Sequence, residues 1–177
     1  MMKTITFYLD FISPYAWLAF HALPQALQGI SHRVVHKPVL FGAMLKHHGQ
    51  LGPAEIPAKR DWTYRQVLWL ARQQGCDLQL PASHPFNPLG LLRLAVACDA
   101  DGLPNRYVCE QVFRHVWCSG EDAADERPSI DLEGRLAGRW DGAGEARGLP
   151  PGEHDPACFV AHPIAFPRRP VRSRSLG

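Results

Sequence analysis

The sequence predicts one α/β domain, because two strand-like segments flank a helix and a block of helices follows them. Residues 3–9 are rich in β-branched and aromatic residues, as buried strands are. Residues 14–28 follow with the pattern of a helix, and residues 32–40 alternate as a second strand. With 177 residues, the chain is long enough to bury a substantial core without disulfide bonds.

The first helix is predicted to begin at Ser13-Pro14, directly after the first strand. Serine is a favoured N-cap, and proline is favoured at the first helical position because its missing N–H would be unpaired there anyway. Pro24 predicts a kink or the end of this helix. Pro38 is expected to close the second strand, and the glycine- and proline-rich residues 42–57 are predicted to form a loop.

Three further helices are predicted from apolar residues that recur at helical spacing. The repeats fall in residues 64–71, 91–98 and 109–116. Asp61 is available near the start of the first of these helices, and Gly75 is predicted to end it. The second helix follows Asn87-Pro88, which repeats the device of a capping residue followed by proline. The predicted order is therefore strand, helix, strand and then a block of helices.

Residues 126–177 differ in composition from the rest of the chain. They contain seven glycines and seven prolines among 52 positions, with eight arginines and no lysine. A glycine and proline share of this size is typical of disordered or low-complexity chain, so we expect an atypical, poorly ordered tail. An arginine-based contact with nucleic acid is disfavoured, because seven acidic residues nearly cancel the arginine charge.

Composition also argues against several classes of function. A formal charge of +2 is too mild to indicate nucleic acid or an anionic membrane as a partner. No apolar run reaches the roughly 18 residues of a membrane span, and the first residues do not resemble a secretion signal. Five cysteines without a CxxC pair favour a reducing cytoplasm. No metal site is expected, because the adjacent His47 and His48 lack a third ligand.

Ser13 is the leading candidate for chemistry. A helix that starts directly after a strand presents unpaired N–H groups and the positive end of its dipole at the strand's carboxyl edge. A hydroxyl at that point can donate a charge-assisted hydrogen bond to a thiolate or a carboxylate. The chain has no cysteine there, so a thiol would have to arrive with a ligand. The alternative is that Ser13, like Asn87, only caps a helix.

These residues and several longer stretches resemble one family. The stretch FYLDFISPYAWLA (7–19) resembles the amino-terminal motif of the 2-hydroxychromene-2-carboxylate isomerases, which are relatives of kappa-class glutathione transferases and of DsbA-type proteins. Further similar stretches follow in the same order: KPVLFGAMLKHHGQ (37–50), IPAKRDWTYRQVLWLARQQG (56–75), HPFNPLGLLRLAVA (84–97) and VFRHVWCSGEDAAD (112–125). The resemblance extends over residues 3–125.

The resemblance implies an α/β, thioredoxin-like domain with an inserted helical domain of the DsbA and kappa type. Residues 1–59 would form the N-terminal part of the thioredoxin-like domain and residues 60–125 the helical insertion. The cofactor would be glutathione and the substrate a small aromatic molecule, with a homodimer as a further expectation. The family's reaction is the reversible isomerisation of 2-hydroxychromene-2-carboxylate to trans-o-hydroxybenzylidenepyruvate in aromatic degradation. Serine in place of a redox cysteine argues against a DsbA-like oxidase.

The resemblance also implies a set of site residues. Ser13 would hold the thiolate of glutathione, which would add transiently to the conjugated substrate and leave after bond rotation. Gln50 and Lys59 match positions that contact glutathione, with Gln50 where relatives often have an asparagine. Asn87 is a candidate for the substrate pocket, although helix capping alone would explain it. His84 could titrate near neutral pH, but a lone histidine beside proline is more often structural.

The resemblance ends at the tail. Relatives continue with more helix, a stretch like GVFGVPTF and two final strands, and residues 126–177 show none of these, so the C-terminal strands are expected to be missing. A reading-frame shift near codon 126 would explain the change, since out-of-frame GC-rich DNA encodes arginine and glycine without lysine. Two alternatives to the isomerase stay open. One is a kappa-like glutathione transferase or glutathione-binding protein for another electrophile, and the other is a non-catalytic remnant.

Overall fold

The computed structural model describes residues 2–99, 101–120, 122–123 and 132, which contain two parallel strands, five α-helices and one short 3-10 helix (Pro53–Glu55). Strand β1 (Lys3–Leu9) leads into helix α1 (Pro14–Ala26) and then strand β2 (His32–Pro38). The strands pair in register from Lys3 with His32 to Leu9 with Pro38. The other helices are α2 (Phe41–His47), α3 (Pro57–Gln74), α4 (Leu89–Ala97) and α5 (Arg106–Cys118). The predicted order of elements is confirmed.

Pro24 sets the carboxyl end of α1 and also links this helix to α5. Proline has no N–H to donate to the carbonyl of Phe20 one turn earlier, and the helix ends soon afterwards, at Ala26. The Phe20 carbonyl instead lies 3.4 Å from each terminal nitrogen of Arg106, at the start of α5. The guanidinium carbon of Arg106 lies 4.1 Å from the centre of the Phe20 ring. The proline thus leaves free a carbonyl that a distant arginine uses.

Helix α2 occupies part of the segment that the sequence predicts as a loop, so that prediction was wrong for residues 42–47. The segment FGAMLKH has no proline and consists mostly of residues that tolerate a helix. The Asp10 carboxylate accepts a hydrogen bond from the Phe41 N–H at 2.7 Å. This contact satisfies one of the donors that the first turn of a helix leaves unpaired. A residue 31 positions away therefore stabilises the start of α2.

Helix α3 begins earlier than the sequence predicts and ends where it predicts. Pro57 occupies the favoured first position, so the helix starts ahead of Asp61. It ends at Gly75, whose φ of +60° lies in the left-handed region that glycine adopts without a steric penalty. Helix α4 begins after Asn87-Pro88, as predicted, but Pro88 occupies the N-cap position, so the prediction that Asn87 is the cap was wrong.

An aromatic cluster lies at the centre of the hydrophobic core. The ring centre of Phe113, on α5, lies 4.9 Å from Phe11, 5.6 Å from Trp17 and 5.3 Å from Phe20. All four side chains are buried. Phe11 precedes α1, and Trp17 and Phe20 lie on it, so α1 and α5 share one core, to which Leu9 of β1 also belongs.

The predicted tail, residues 126–177, lies outside the described residues except for Leu132, which is buried against the core. The sheet has two strands within the described part of the chain. The division at residue 59, the missing C-terminal strands and the shifted reading frame stay predictions. Among the helices that the structure describes, none is both long and apolar enough to span a membrane.

Candidate functional site

A cavity of about 870 Å³ opens at the start of α1, beside α2. Its volume lies within the range of clefts that bind small molecules. Three of the four predicted site residues line it: Ser13, Gln50 and Asn87. Lys59 does not line it and is exposed in the first turn of α3, close in sequence to Glu55 on the cavity wall. The structure therefore brings three of these side chains to one cavity and leaves Lys59 outside the lining.

Ser13 occupies the N-cap position of α1, as the sequence predicts. Its side-chain oxygen accepts a hydrogen bond from the Ala16 N–H at 3.3 Å. Because the cap uses this oxygen as an acceptor, the hydroxyl proton remains to be donated. The positive end of the α1 dipole lies at the same point, where it favours negative charge. Ser13 therefore combines a free donor with an electrostatic environment that stabilises a bound anion.

The four described cysteines lie away from this site: Cys76 and Cys109 are buried in the core, and Cys98 and Cys118 are half-buried against it. Burial raises the pKa of Cys76 to about 11 and that of Cys109 to about 12. Burial also raises the pKa of Cys98 and of Cys118. None of the described residues that line the cavity is a cysteine. Among the described residues, none therefore supplies a thiolate beside Ser13.

Polar groups interrupt the mostly apolar wall of the cavity. The side-chain oxygen of Asn87 accepts a hydrogen bond from the Leu89 N–H at 3.2 Å, so its amide nitrogen is the part left for a ligand. Gln50 contributes a second amide, and Lys46 and Glu55 contribute one charge of each sign. These donors and acceptors fit a ligand that carries both carboxylate and ammonium groups, as a short peptide does. No group of three potential metal ligands occurs among the residues described.

Hydrogen bonds from three different residues hold the backbone around Ser13. We call residues 10–13 the serine loop. Each of its first three carbonyls accepts one hydrogen bond: Asp10 from the Ser13 N–H at 3.1 Å, Phe11 from Trp117 Nε1 at 2.9 Å, and Ile12 from His84 Nε2 at 2.9 Å. Two of these donors are side chains from the helical block. The segment that presents the serine is therefore held by Trp117 of α5 and by His84 of the segment between α3 and α4.

Sequence reasoning missed three residues that support the serine loop. The sequence analysis assigns no role to Asp10 or Trp117, and it favours a structural role for His84 without indicating its partners. Asp10 is buried, and its carboxylate accepts hydrogen bonds from the N–H groups of Ile12 at 3.2 Å and Phe41 at 2.7 Å. A carboxylate that breaks an apolar run just before a helix cap was the available sequence signal.

Asp10 should make stability depend on pH. Burial raises its pKa from 3.8 to about 6, and hydrogen bonds from the Phe41, Ile12 and Phe11 backbone only partly oppose this change. The native state therefore binds the proton more tightly than the unfolded chain, so Asp10 stabilises the fold most below pH 4 and less as the pH rises through 6. Relative to Asp10→Asn, the wild-type free energy of unfolding should fall by about 2–3 kcal/mol between pH 4 and pH 7.

Urea unfolding at several pH values measures this difference, and Asp61→Asn provides a matched control. The Asp61 side chain is 69% exposed, so its replacement controls for the removal of a carboxylate from the protein surface. Burial lowers the pKa of His36 and of His84, which weakens all of these proteins at acid pH. The difference between wild type and Asp10→Asn at each pH removes this contribution of the two histidines, because both proteins share it. A constant difference between wild type and Asp10→Asn at every pH would contradict the prediction.

Comparisons with known proteins agree with this architecture. Residues 4–130 match the family model of the DsbA-like thioredoxin domain. Glutathione S-transferase kappa 2 of Caenorhabditis elegans is 26% identical over 121 residues, which cover 65% of this chain and 52% of that protein. A solved structure of 2-hydroxychromene-2-carboxylate isomerase matches with a TM-score of 0.61 at 19% identity, covering 76% of this chain and 66% of that chain. The chain thus spans about half the length of the curated relative.

Proposed function

This chain belongs to the DsbA-like thioredoxin domain family, and from that premise we propose that it is a glutathione-dependent isomerase. The proposed reaction interconverts 2-hydroxychromene-2-carboxylate and trans-o-hydroxybenzylidenepyruvate, in cytoplasmic degradation of aromatic compounds. One observation carries the proposal: Ser13 has a hydroxyl proton to donate, at the positive end of α1, in a cavity whose described lining holds no cysteine. The likeness to an isomerase structure and to a kappa-class transferase supports it.

The residues of the cavity fit a tripeptide thiol, and each has a distinct task. Bound glutathione would supply a nucleophilic thiolate. Ser13 donates its hydroxyl proton to that sulfur, and the α1 dipole adds about 0.3–1 kcal/mol in favour of the negative charge. Gln50 holds a polar end of the tripeptide from the cavity wall, Lys59 contributes its charge from outside the lining, and the Asn87 amide nitrogen faces the substrate. The apolar walls exclude water, which strengthens these electrostatic interactions.

A kappa-like glutathione transferase that acts on another electrophile is the second candidate. The 26% identity to a kappa-class transferase favours it, and Ser13 would have the same task in both reactions. An isomerase returns glutathione unchanged, whereas a transferase consumes it. Assaying the free thiol during turnover therefore separates the two.

Glutathione should raise the unfolding temperature of the full chain. A ligand at 100 times its dissociation constant stabilises the native state by about 2.7 kcal/mol if it binds only that state. Thermal unfolding with and without millimolar glutathione measures the change, and S-methylglutathione serves as the control ligand without a free thiol. The isomerase assay follows on the same protein. A cooperative transition indifferent to glutathione would contradict the proposal, and an absent transition would favour the non-catalytic remnant.

Gln50→Ala should raise the glutathione concentration needed for half-maximal rate by about 2- to 13-fold, because one hydrogen bond contributes about 0.5–1.5 kcal/mol. Lys59→Ala should have a smaller effect of the same kind, since Lys59 is exposed outside the cavity lining. Saturation curves for glutathione measure both. In each variant the turnover at saturating glutathione should stay near that of the wild type. An equal loss of turnover at saturation would instead indicate a role in the transition state.

A further inference from the structure

His84 connects the serine loop to helix α3. Its Nε2 lies 2.9 Å from the carbonyl oxygen of Ile12, and its Nδ1 lies 2.7 Å from the hydroxyl of Tyr64. A backbone carbonyl can only accept a hydrogen bond, so Nε2 carries the proton of the neutral ring. Nδ1 then accepts the hydroxyl proton of Tyr64. Both ring nitrogens are occupied, which leaves none to act as a general acid or base.

The packing around the ring favours this neutral, fixed form. The ring centre lies 5.7 Å from that of Tyr64, 5.5 Å from Trp117 and 6.1 Å from Phe86. Burial among these side chains lowers the pKa of His84, so the ring stays uncharged at neutral pH. The aromatic neighbours also limit rotation of the imidazole. The direction of the Nε2–H bond is therefore set by the fold.

The carbonyl that His84 holds belongs to the peptide bond that joins Ile12 to Ser13. Peptide bonds are planar, so fixing this oxygen fixes the plane from which the Ser13 backbone continues. Trp117 holds the preceding peptide through the carbonyl of Phe11, at 2.9 Å. Two consecutive planes are thus fixed just before the serine. A rotation of either plane would turn the Ser13 side chain within the cavity.

We propose that His84, held by Tyr64, is a positioning residue that fixes the direction of the Ser13 hydroxyl through the Ile12 carbonyl. The benefit to a bound thiolate rests on the proposed function, whereas the restraint on the loop does not. Small errors in the position of a catalytic group lower rates strongly, so a restraint that acts through the backbone can govern turnover. His84 contributes by holding the loop and transfers no proton.

Amide hydrogen exchange tests the restraint, with a rescuing variant as the control. His84→Leu removes the donor to Ile12, whereas His84→Gln can place an amide N–H near the position of Nε2. Exchange at the Ser13 and Ala16 amides should rise at least tenfold in His84→Leu and stay within about threefold of wild type in His84→Gln. Exchange at the Val108 amide, the corresponding cap contact of α5, provides the internal reference. Equal increases at all three amides would overturn the proposal.

Tyr64→Phe is a second variant, for the case that His84→Leu fails to fold. It keeps the aromatic ring in the core and removes only the hydroxyl group that donates to Nδ1 of His84. It should raise exchange at Ser13 and Ala16 several-fold without affecting Val108, and no increase would overturn the proposal.

The ultraviolet absorbance of the thiolate gives a second readout with bound glutathione. The pH at which half of the bound glutathione thiol is ionised should be higher in His84→Leu and Tyr64→Phe than in the wild type. In both variants kcat should fall by a larger factor than the KM for glutathione rises. If wild-type protein binds no glutathione, the proposed function fails, while the exchange comparison still decides the role of His84.

Discussion

Replacing Ser13 with alanine should lower the kcat/KM of the proposed isomerase about 10- to 100-fold. The hydroxyl proton is the donor left at the cap, and a hydrogen bond to a charged group contributes about 1.5–3 kcal/mol. Each 1.4 kcal/mol changes a rate about tenfold. The bound thiol of glutathione should also ionise at higher pH in the variant. Steady-state kinetics and the thiolate absorbance measure the two effects.

Asn105→Ala separates the loss of a helix cap from the loss of chemistry. Asn105 caps α5 as Ser13 caps α1, with its side-chain oxygen accepting the Val108 N–H at 3.0 Å, but it does not line the cavity at Ser13. Each substitution should reduce the free energy of unfolding by about 1 kcal/mol. Only Ser13→Ala should lose activity. Equal activities in the two variants would mean that Ser13 is a cap and nothing more.

Phe113→Ala should reduce the free energy of unfolding by about 3–5 kcal/mol, the usual cost of removing a buried phenylalanine ring. The ring contacts the three aromatic side chains that join α5 to α1 and the serine loop. Domains are stable by only about 5–15 kcal/mol, so the variant should lie close to unfolding at 37 °C. Urea denaturation at 25 °C, with the slope compared between proteins, measures the change.

Trp69→Ala is the matched control for Phe113→Ala. Trp69 is a larger aromatic residue on a helix, but 58% of it is exposed. Its replacement should change the free energy of unfolding by no more than about 0.5 kcal/mol, as surface substitutions usually do. Similar losses for the two variants would show that the Phe113 cluster is not the centre of the core.

Much of the fold can be predicted from the sequence because its signals are local. Ser13-Pro14 and Gly75 mark helix ends through their own backbone preferences, and both are confirmed. Helix α2 was missed because one of its first N–H groups is satisfied by Asp10, which lies far away in sequence. A composition rich in glycine and proline predicts a loop only when no distant residue stabilises a helix there.

In the candidate site, too, the residues with local sequence signals are predicted and those that act through distant contacts are missed. Ser13 and Gln50 are identified from the short sequence stretches in which they lie, and both line the cavity. The support for Ser13 comes from His84 and Trp117, 72 and 106 residues away from the carbonyls they hold. No periodicity or capping pattern connects such positions. These contacts form only after the helical block has packed against α1 and the serine loop.

The hydrogen bond between Trp117 and Phe11 also sets the order in which the site can be built during translation. The ribosome makes the serine loop first and the indole that holds it 106 residues later. A nascent chain that ends before α5 contains both strands, α1 and Ser13, but neither Trp117 nor the central Phe113. Contacts of such long sequence separation form slowly, since a long loop must close first. The serine is therefore synthesised before the indole that holds its loop, and its position is fixed only after α5 has been made and packed.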